Sequence, residues 1–230
     1  MTALAIIPAR GGSKRILRKN VRPFAGKPII GWTIETALAA DLFTEVMVST
    51  DDPEIAETAR EFGAQVPFMR SPGNADDHAG IAEVLREVLE TYAREGRDFA
   101  SACCLYATAP FITAADLREG KRMLDGGRFD VVLPVARFAY PIWRGLRRDP
   151  DGRVELFFPE HAQARSQDLP PAFHDAGQWI WLNTAPFMAG ASLLGGRTGS
   201  LPLPDERAQD IDCEDDWAAA ERKFALLRCL

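Results

Sequence analysis

The sequence has few cysteines and no long hydrophobic run, and both absences narrow the class of protein. Its four cysteines show no C-x-x-C spacing, and Cys103 and Cys104 are neighbours inside an apolar run. This usage favours reduced, mostly buried thiols over a disulfide framework. No stretch approaches the roughly 18 apolar residues of a membrane span, and the first residues contain no long apolar signal region. We therefore expect a cytoplasmic protein with no membrane partner.

The chain also lacks an excess of positive charge. Its 230 residues carry a formal net charge of −6, which argues against nucleic acid or an anionic membrane as the main partner. A hydrophobic content of 47% is enough for one substantial core, and no low-complexity linker divides the chain. The composition therefore predicts a single domain over residues 1–230 that binds a small molecule.

Acidic residues are missing before Glu35, whereas seven Lys or Arg precede it. The apolar run from Leu4 to Pro8 predicts a strand that is buried on both faces of a parallel sheet. Glycines then allow a tight turn that brings backbone N–H groups close to a ligand, beside clustered positive charge. The pattern predicts a phosphate-binding loop that contains Arg10, Gly11, Gly12, Ser13, Lys14, Arg15, Arg18 and Lys19.

Two common phosphate loops do not match this sequence. A Walker loop needs a Gly five residues before its Gly-Lys pair and a Ser or Thr after it, but Gly26-Lys27 is preceded by Val21 and followed by Pro28. The glycines at 11 and 12 cannot be aligned with the dinucleotide fingerprint G-x-G-x-x-G. The alternative to a phosphate site is a solvated basic loop.

Strand and helix patterns alternate along most of the chain. Together they predict an α/β fold with a doubly wound, Rossmann-like, mostly parallel sheet, whose ligands lie beyond the carboxyl ends of the strands. The aromatic-rich segment 137–178 breaks this alternation and predicts a hairpin excursion. Strands are predicted at 4–8, 45–49, around Val66 and Phe68, and at 101–106, 130–135, 179–182 and 201–203. Helices are predicted at 28–40, 53–63, 80–94, 113–124 and 186–194, and as a last helix that packs through Trp217, Ala220, Phe224 and Leu227.

A pair of carboxylates near the end of the chain forms a second candidate site. If the segment Asp210-Ile211-Asp212 is extended, both carboxylates point to one face with the isoleucine buried behind them. Paired oxygen ligands suit a hard ion such as Mg²⁺, which also takes phosphate oxygens and water. The alternative is acidity at a helix N-terminus, since Glu214, Asp215 and Asp216 open the last helix.

Several stretches resemble one enzyme family. The run IIPARGGSKRI followed by Lys19-Asn20 resembles the signature of the cytidylyltransferases that make CMP-linked nonulosonic acids. The stretches YATAPF, RSQDL and HDAGQ, which begin at Tyr106, Arg165 and His174, resemble the pseudaminic acid branch. The resemblance covers nearly the whole chain. It implies a nucleotide-diphospho-sugar transferase fold, CTP as co-substrate, Mg²⁺ at the two aspartates, and a homodimer formed by the excursion.

The resemblance also implies a role for each site residue. The implied catalytic residues are Arg10, Lys14, Lys19 and Asp212, and the implied metal ligands are Asp210 and Asp212. CTP contacts fall to Ala9, Gly11, Gly12, Ser13, Asn20, Arg70, Asp77, Ala107 and Thr108, with Arg70 beside the cytosine. The acceptor acid would be bound by Arg144 and Arg165, whose guanidinium groups suit its carboxylate, and by His174, Asp175 and Gln178. The alternatives are a surface arginine at 70, a turn residue at 108 and a structural histidine at 174.

Four positions depart from the family pattern and leave alternatives open. Cys213 stands where a threonine often follows the aspartate pair, so Asp212 is expected to share metal binding with capping of the last helix. Leu17 replaces a frequent proline, and Trp143 and Trp179 replace a usual glutamine and phenylalanine. The rival functions are CMP-sialic or CMP-legionaminic acid synthesis and, in a different class, a nucleotide-binding module without catalysis. The intact aspartate pair argues against the second.

Overall fold

The fold is built on a seven-stranded sheet with helices on both faces, as seen in a computed structural model that describes residues 2–74 and 80–228. The strands are β1 (Ala3–Pro8), β2 (Pro23–Phe24), β3 (Lys27–Pro28), β4 (Glu45–Ser49), β5 (Ser101–Leu105), β6 (Val131–Arg137), β7 (Leu146–Arg148), β8 (Val154–Leu156), β9 (Phe173–Asp175), β10 (Trp179–Asn183) and β11 (Thr198–Leu203). The helices are α1 (Ile29–Ala40), α2 (Pro53–Glu61), α3 (Ile81–Arg94), α4 (Ala114–Asp125), α5 (Thr184–Met188) and α6 (Glu214–Arg228). Within these ranges, no helix is both long and apolar enough to cross a membrane.

The sheet confirms the predicted mostly parallel architecture. Its order is β11-β6-β10-β5-β1-β4, with β9 also paired to β6. Strand β1 is parallel to β4 and β5, and β6 is parallel to β11. Strands β9 and β10 run antiparallel to their neighbours. Ile7 packs in the cluster on one face and Ile6 in the cluster on the other, which explains the continuous apolar run.

The carboxyl ends of three neighbouring strands bring distant loops together. Pro8 of β1 lies opposite Ser49 of β4, and Ile6 lies opposite Cys104 of β5. Because these strands are parallel, the loops that leave them emerge at the same edge of the sheet. The segments 9–20, 50–52 and 106–110 therefore meet there.

Strands β9 and β10 pair with the same edge of β6, one after the other, and a short break separates them. The break contains Gly177, whose φ of +64° suits glycine, and the main chain of Gln178 accepts a hydrogen bond from the N–H of Tyr106. Residues 173–175, which the sequence assigned to the excursion, therefore pair with the main sheet. Long-range pairing with β6 decides this, and local patterning does not carry that information.

Helix ends agree closely with the capping residues in the sequence. The Asp52 side chain accepts hydrogen bonds from the N–H groups of Glu54 and Ile55, and Thr113 accepts one from Asp116. After α2, Gly63 has a φ of +93° and donates to Arg60. The helix itself ends at Glu61, two residues before the predicted end. Likewise, α5 is confined to Thr184–Met188, so the predicted helix at 186–194 is wrong beyond Met188.

The predicted third strand around Val66 and Phe68 is wrong. Only Gln65 pairs with the sheet, through an isolated bridge to Met47 of β4. The chain then leaves the edge and returns at Arg70, whose N–H donates to the carbonyl of Thr50 at 2.8 Å. Apolar content predicted a strand here, but Val66 is buried by packing on the core rather than by pairing in a ladder.

The excursion contains the two-stranded hairpin β7–β8. Leu146 pairs with Leu156, and the Asp149 side chain accepts the N–H of Arg153 in the turn. Several large apolar side chains of the excursion are exposed to solvent, although side chains of this kind are usually buried. Exposed large apolar residues in and beside the hairpin are Phe138, Tyr140, Leu146, Val154, Phe157 and Phe173.

Candidate active site

A cleft of about 370 Å³ opens at the carboxyl edge of the sheet, where the loops after β1 and β5 meet. Sequence-predicted residues that line it are Arg10, Ser13, Lys14, Arg15, Lys19, Asn20, Arg70, Ala107, Thr108 and Asp212. Further lining residues are Pro8, Ile16, Asn74, Ile81, Val84 and Tyr106. The cleft therefore combines a wall of positive charge with a short apolar wall from the first turn of α3.

The basic loop is held in place by hydrogen bonds to its backbone. The buried amide of Asn20 donates to the carbonyl of Arg10 at 2.9 Å. From the end of β4, the carboxylate of Asp51 accepts the N–H of Gly11 at 2.9 Å. Asn20 was predicted to contact CTP, and the structure shows that its amide nitrogen is engaged within the loop.

Gly11 is required by a protein contact. A Cβ added there would lie 2.5 Å from the Oδ2 of Asp52, which is far inside van der Waals contact, whereas a Cβ at Gly12 would meet no heavy atom within 4 Å. Asp52 is fixed as the cap of α2 and as the ion-pair partner of Arg18. The hydrogen bond between the side chains of Arg18 and Asp52 lowers the pKa of Asp52 and raises the pKa of Arg18. Packing against Asp52 therefore disfavours any larger residue at position 11, whereas no such contact restricts position 12.

Lys19 connects the basic loop to the acidic segment. Its Nζ donates to the carbonyl of Ile211 at 2.6 Å and lies 3.7 Å from the Oδ1 of Asp212. Burial lowers the pKa of Lys19, and the nearby carboxylates of Asp212 and Asp210 oppose that shift. Arg15 adds a 2.7 Å ion pair to Asp212. Positive and negative groups from opposite ends of the chain therefore form one electrostatic unit.

The acidic segment is anchored by the isoleucine between its two aspartates. Ile211 is fully buried under α6, in the same cluster as Ile16 of the basic loop. Loss of hydration and the neighbouring Asp212 raise the pKa of Asp210, although its side chain still reaches solvent. The charge of Asp212 therefore disfavours the ionised form of Asp210, while Asp212 lines the cleft and Asp210 is not among the lining residues.

Capping of α6 by Asp212 was a wrong expectation. The N–H groups of Asp212 and Cys213 both donate to Oδ2 of Asp216, at 3.0 and 2.9 Å. The thiol of Cys213 also lies 3.1 Å from that oxygen. Asp216 therefore ties the two residues before α6 to its first turn, whereas the Asp212 carboxylate pairs with Arg15 and lines the cleft.

Arg70 is buried at 8% exposure, so the alternative of a surface arginine is wrong. Its Nε donates to the Oγ of Ser49 at 3.0 Å, and its Nη2 donates to the Ser49 carbonyl. Burial lowers the pKa of Arg70, while Asp51 and Glu87 oppose the shift. A fixed guanidinium in the cleft wall can recognise a polar edge of a ligand. Asp77, predicted in the same loop, lies outside the described residues.

The chain is similar to proteins of one known family. A family model described as cytidylyltransferase matches residues 4–131, which is more than half of the chain. The chain belongs to the cytidylyltransferase family. It is 36% identical over 221 residues to a pseudaminic acid cytidylyltransferase of Campylobacter jejuni, covering 96% of this chain and 95% of that one. It is 33% identical to a CMP-N,N'-diacetyllegionaminic acid synthase of Legionella pneumophila, covering 98% of this chain and 97% of that protein.

A solved structure supports the fold of this cytidylyltransferase. The chain aligns over its full length with CMP:2-keto-3-deoxy-manno-octonic acid synthetase in complex with CTP, with a TM-score of 0.70 and 18% identity. At that identity the likeness concerns the fold. The family match and the similarity to curated cytidylyltransferases show that the chain is a CTP-using nucleotidyltransferase.

None of the five predicted acceptor residues of the cytidylyltransferase lines the cleft. Arg144 and Arg165 are exposed on the excursion, and Arg165 pairs with Asp168 at 2.6 Å. The exposed His174 ring shares a 2.8 Å hydrogen bond with the carbonyl of Asp175. Gln178 is 1% exposed and donates to the carbonyl of Arg207. None of these residues is among those that line the cleft.

Asp175 lies near the acidic segment. Its carboxylate contributes to the raised pKa of Asp210 and accepts the N–H of Gly177 at 2.8 Å. A Cβ at Gly177 would lie 3.4 Å from Cγ of Asp210, so the break between β9 and β10 lies against the aspartate pair.

Sequence reasoning missed Asn74 and Tyr106 as lining residues of the cleft. Tyr106 directly follows β5, and burial raises the pKa of its phenol well above the ordinary value. Its place at a strand end, in the stretch quoted for the family resemblance, was a usable signal. Asn74 belongs to a short 3₁₀ turn at Pro72–Asn74, where its polar character gave no specific indication.

Proposed function

We propose that this enzyme transfers the cytidylyl group of CTP to the anomeric hydroxyl of pseudaminic acid. The hydroxyl oxygen attacks the α-phosphorus, the bond to the bridging oxygen breaks, and pyrophosphate leaves. The proposal rests on the 36% identity to a pseudaminic acid cytidylyltransferase along 96% of the chain, together with the basic cleft. Such reactions depend mainly on positioning and on neutralisation of charge.

In this proposal, the cleft residues bind CTP from its phosphates to its base. Arg10, Ser13 and Lys14 would donate to the phosphates, and Lys19 would stabilise charge near the reacting phosphorus. Their place in the cleft wall supports these roles. Arg70 would meet the cytosine edge, supported by its rigid anchoring on Ser49. Ala9, Gly12, Ala107 and Thr108 would provide backbone or small groups around the nucleotide.

Mg²⁺ fits the donor set of Asp210 and Asp212. The raised pKa of Asp210 reflects lost hydration and carboxylate repulsion, which a cation would relieve. Among residues 2–74 and 80–228, no group of three or more His, Cys, Asp or Glu is placed to hold a metal, so the remaining ligands would be phosphate oxygens and water. When bound, the ion would neutralise charge on the phosphates.

The acceptor acid would lie beside Asp175, at the break between β9 and β10. Arg144 and Arg165 are exposed on the excursion and are not among the residues that line the cleft of their own chain. We therefore propose a homodimer in which the excursion of one chain reaches the cleft of the other. The exposed Tyr140 and Phe157, at 80% and 60%, support burial of this surface.

A second candidate acceptor is legionaminic or sialic acid. The 33% identity to the Legionella legionaminic acid synthase over 98% of the chain favours it. The departure at Trp179 does not distinguish these acceptors, because that side chain is fully buried against Gly120 of α4. Trp143 lies on the excursion, where its Nε1 donates to the carbonyl of Pro170.

Pyrophosphate release with CTP and a panel of sugar acids tests the proposal. We expect the highest kcat/KM with pseudaminic acid, lower values with legionaminic and N-acetylneuraminic acids, and loss of turnover when Mg²⁺ is chelated. Higher kcat/KM with either competing acid would reassign the acceptor. CTP binding without turnover on any of the three would favour a nucleotide-binding module.

A further inference from the structure

Glu87 of α3 holds the loop that follows Arg70. One carboxylate oxygen accepts the N–H of Ser71 at 2.8 Å, and the other accepts the side-chain amide of Asn74 at 2.7 Å. Asn74 lines the cleft, and its N–H donates to the carbonyl of Ser71 at 3.1 Å. Both oxygens of one side chain therefore fasten the two ends of the turn at Ser71–Asn74.

Glu87 also provides charge for a buried guanidinium. Arg70 has little contact with water, and Arg10 lies near enough to repel it, while Asp51 and Glu87 oppose these effects. The hydrogen bonds from Asn74 and Ser71 outweigh desolvation and lower the pKa of Glu87, so its carboxylate is ionised at neutral pH. The same side chain thus anchors the loop and balances Arg70.

The helix that carries Glu87 also forms part of the cleft. Ile81 and Val84 line the cleft from the first turns of α3, and Glu87 lies three residues after Val84. Because residues three apart lie on the same side of a helix, Glu87 extends the side of α3 that forms the apolar wall of the cleft. Loss of its carboxylate would remove the hydrogen bonds to Ser71 and Asn74 and a favourable charge near Arg70 at the same time.

We propose that Glu87 is a positioning residue for the base-binding end of the cleft. It does not touch the nucleotide; it fixes Arg70 and Asn74 in the arrangement that selects the base. The inference rests on the proposed function in one respect, the placement of the cytosine beside Arg70.

The experiment compares the parent with Glu87→Ala, Glu87→Gln and the control Glu90→Gln, using the whole chain. Glu90 is an exposed carboxylate one turn nearer the end of α3. Calorimetric titration with CTP, UTP and inorganic triphosphate measures each part of the ligand separately. We expect E87A to weaken CTP binding by about 10-fold or more, since two charge-assisted hydrogen bonds are lost, and to narrow the preference for CTP over UTP. Triphosphate affinity should stay at the parent value, as should all three affinities in E90Q.

The Gln variant separates the two roles of Glu87. Glutamine can retain the Ser71 hydrogen bond and, if the Asn74 amide turns over, the second bond as well, but it carries no charge. We expect E87Q to keep the thermal stability of the parent and to bind CTP with an intermediate affinity. Parent-like CTP affinity and base preference in both Glu87 variants would overturn the proposal, as would an equal loss of triphosphate binding. If the parent itself shows no preference for CTP over UTP, the placement of the base is wrong and the proposal falls with it.

Discussion

The two adjacent glycines of the basic loop should respond differently to the same substitution. In Gly11→Ala, the new Cβ would lie 2.5 Å from Oδ2 and 2.9 Å from Cβ of Asp52. Asp52 cannot move away without cost, because it caps α2 through Glu54 and Ile55 and pairs with Arg18. Gly12→Ala is the matched control, since its Cβ meets no atom within 4 Å.

The expected cost follows from the contact distance. Overpacking of this kind destabilises by about 1–3 kcal/mol, and loss of an N-cap costs about 1 kcal/mol. For a chain of this size, a loss of about 2 kcal/mol corresponds to a fall in Tm of roughly 4–8 °C. We expect G11A to show this fall, whereas G12A should change the free energy of unfolding by less than about 0.5 kcal/mol.

Urea unfolding and CTP titration of both variants provide the assay. Open space surrounds the Cβ position of Gly12, and the proposed function puts its backbone beside the nucleotide, so G12A should weaken CTP binding while the fold stays intact. Equal stability of G11A and the parent would refute the steric argument for Gly11. Unchanged CTP affinity in G12A would show that the Gly12 backbone does not approach the ligand.

Four further outcomes are expected. Lys14→Ala should lower kcat/KM by about 10–100-fold through loss of a charge-assisted contact and should weaken CTP use far more than folding; unchanged kinetics would exclude its phosphate role. Asp212→Asn should fold normally but lose about 100-fold or more in Mg²⁺-dependent turnover, and parent-like metal titration would exclude the metal assignment. Arg18 lowers the pKa of Asp52, so the stability from this ionised carboxylate is present above the unfolded-state pKa near 4 and is lost as pH falls through the folded value. The Asp52→Asn variant retains the cap but is expected to be less stable than the parent at neutral pH. The difference in free energy of unfolding between the two, measured by urea unfolding, should shrink as the pH drops below about 4; a constant difference would contradict the pairing. Sedimentation should show a dimer, and deletion of 147–159 should impair acceptor binding before CTP binding; a monomeric parent would refute the dimer.

The sequence by itself determined the features that depend on neighbouring residues. The apolar run of β1, the glycines and cations after it, and the caps Asp52 and Thr113 all carry local signals, because burial on both faces, tight turns and orphan helix donors each demand particular residue types. The alternation of elements then predicted the parallel sheet and its functional edge.

Only the tertiary structure decided which distant groups meet at that edge. Lys19 contacts Asp212, from the other end of the chain, because the shared cluster of Ile16 and Ile211 under α6 brings their segments together. Arg70 is buried because its guanidinium finds partners on Ser49 of the neighbouring strand. Contacts of this kind depend on strand order and packing, and no local pattern encodes which partner a charged side chain will find.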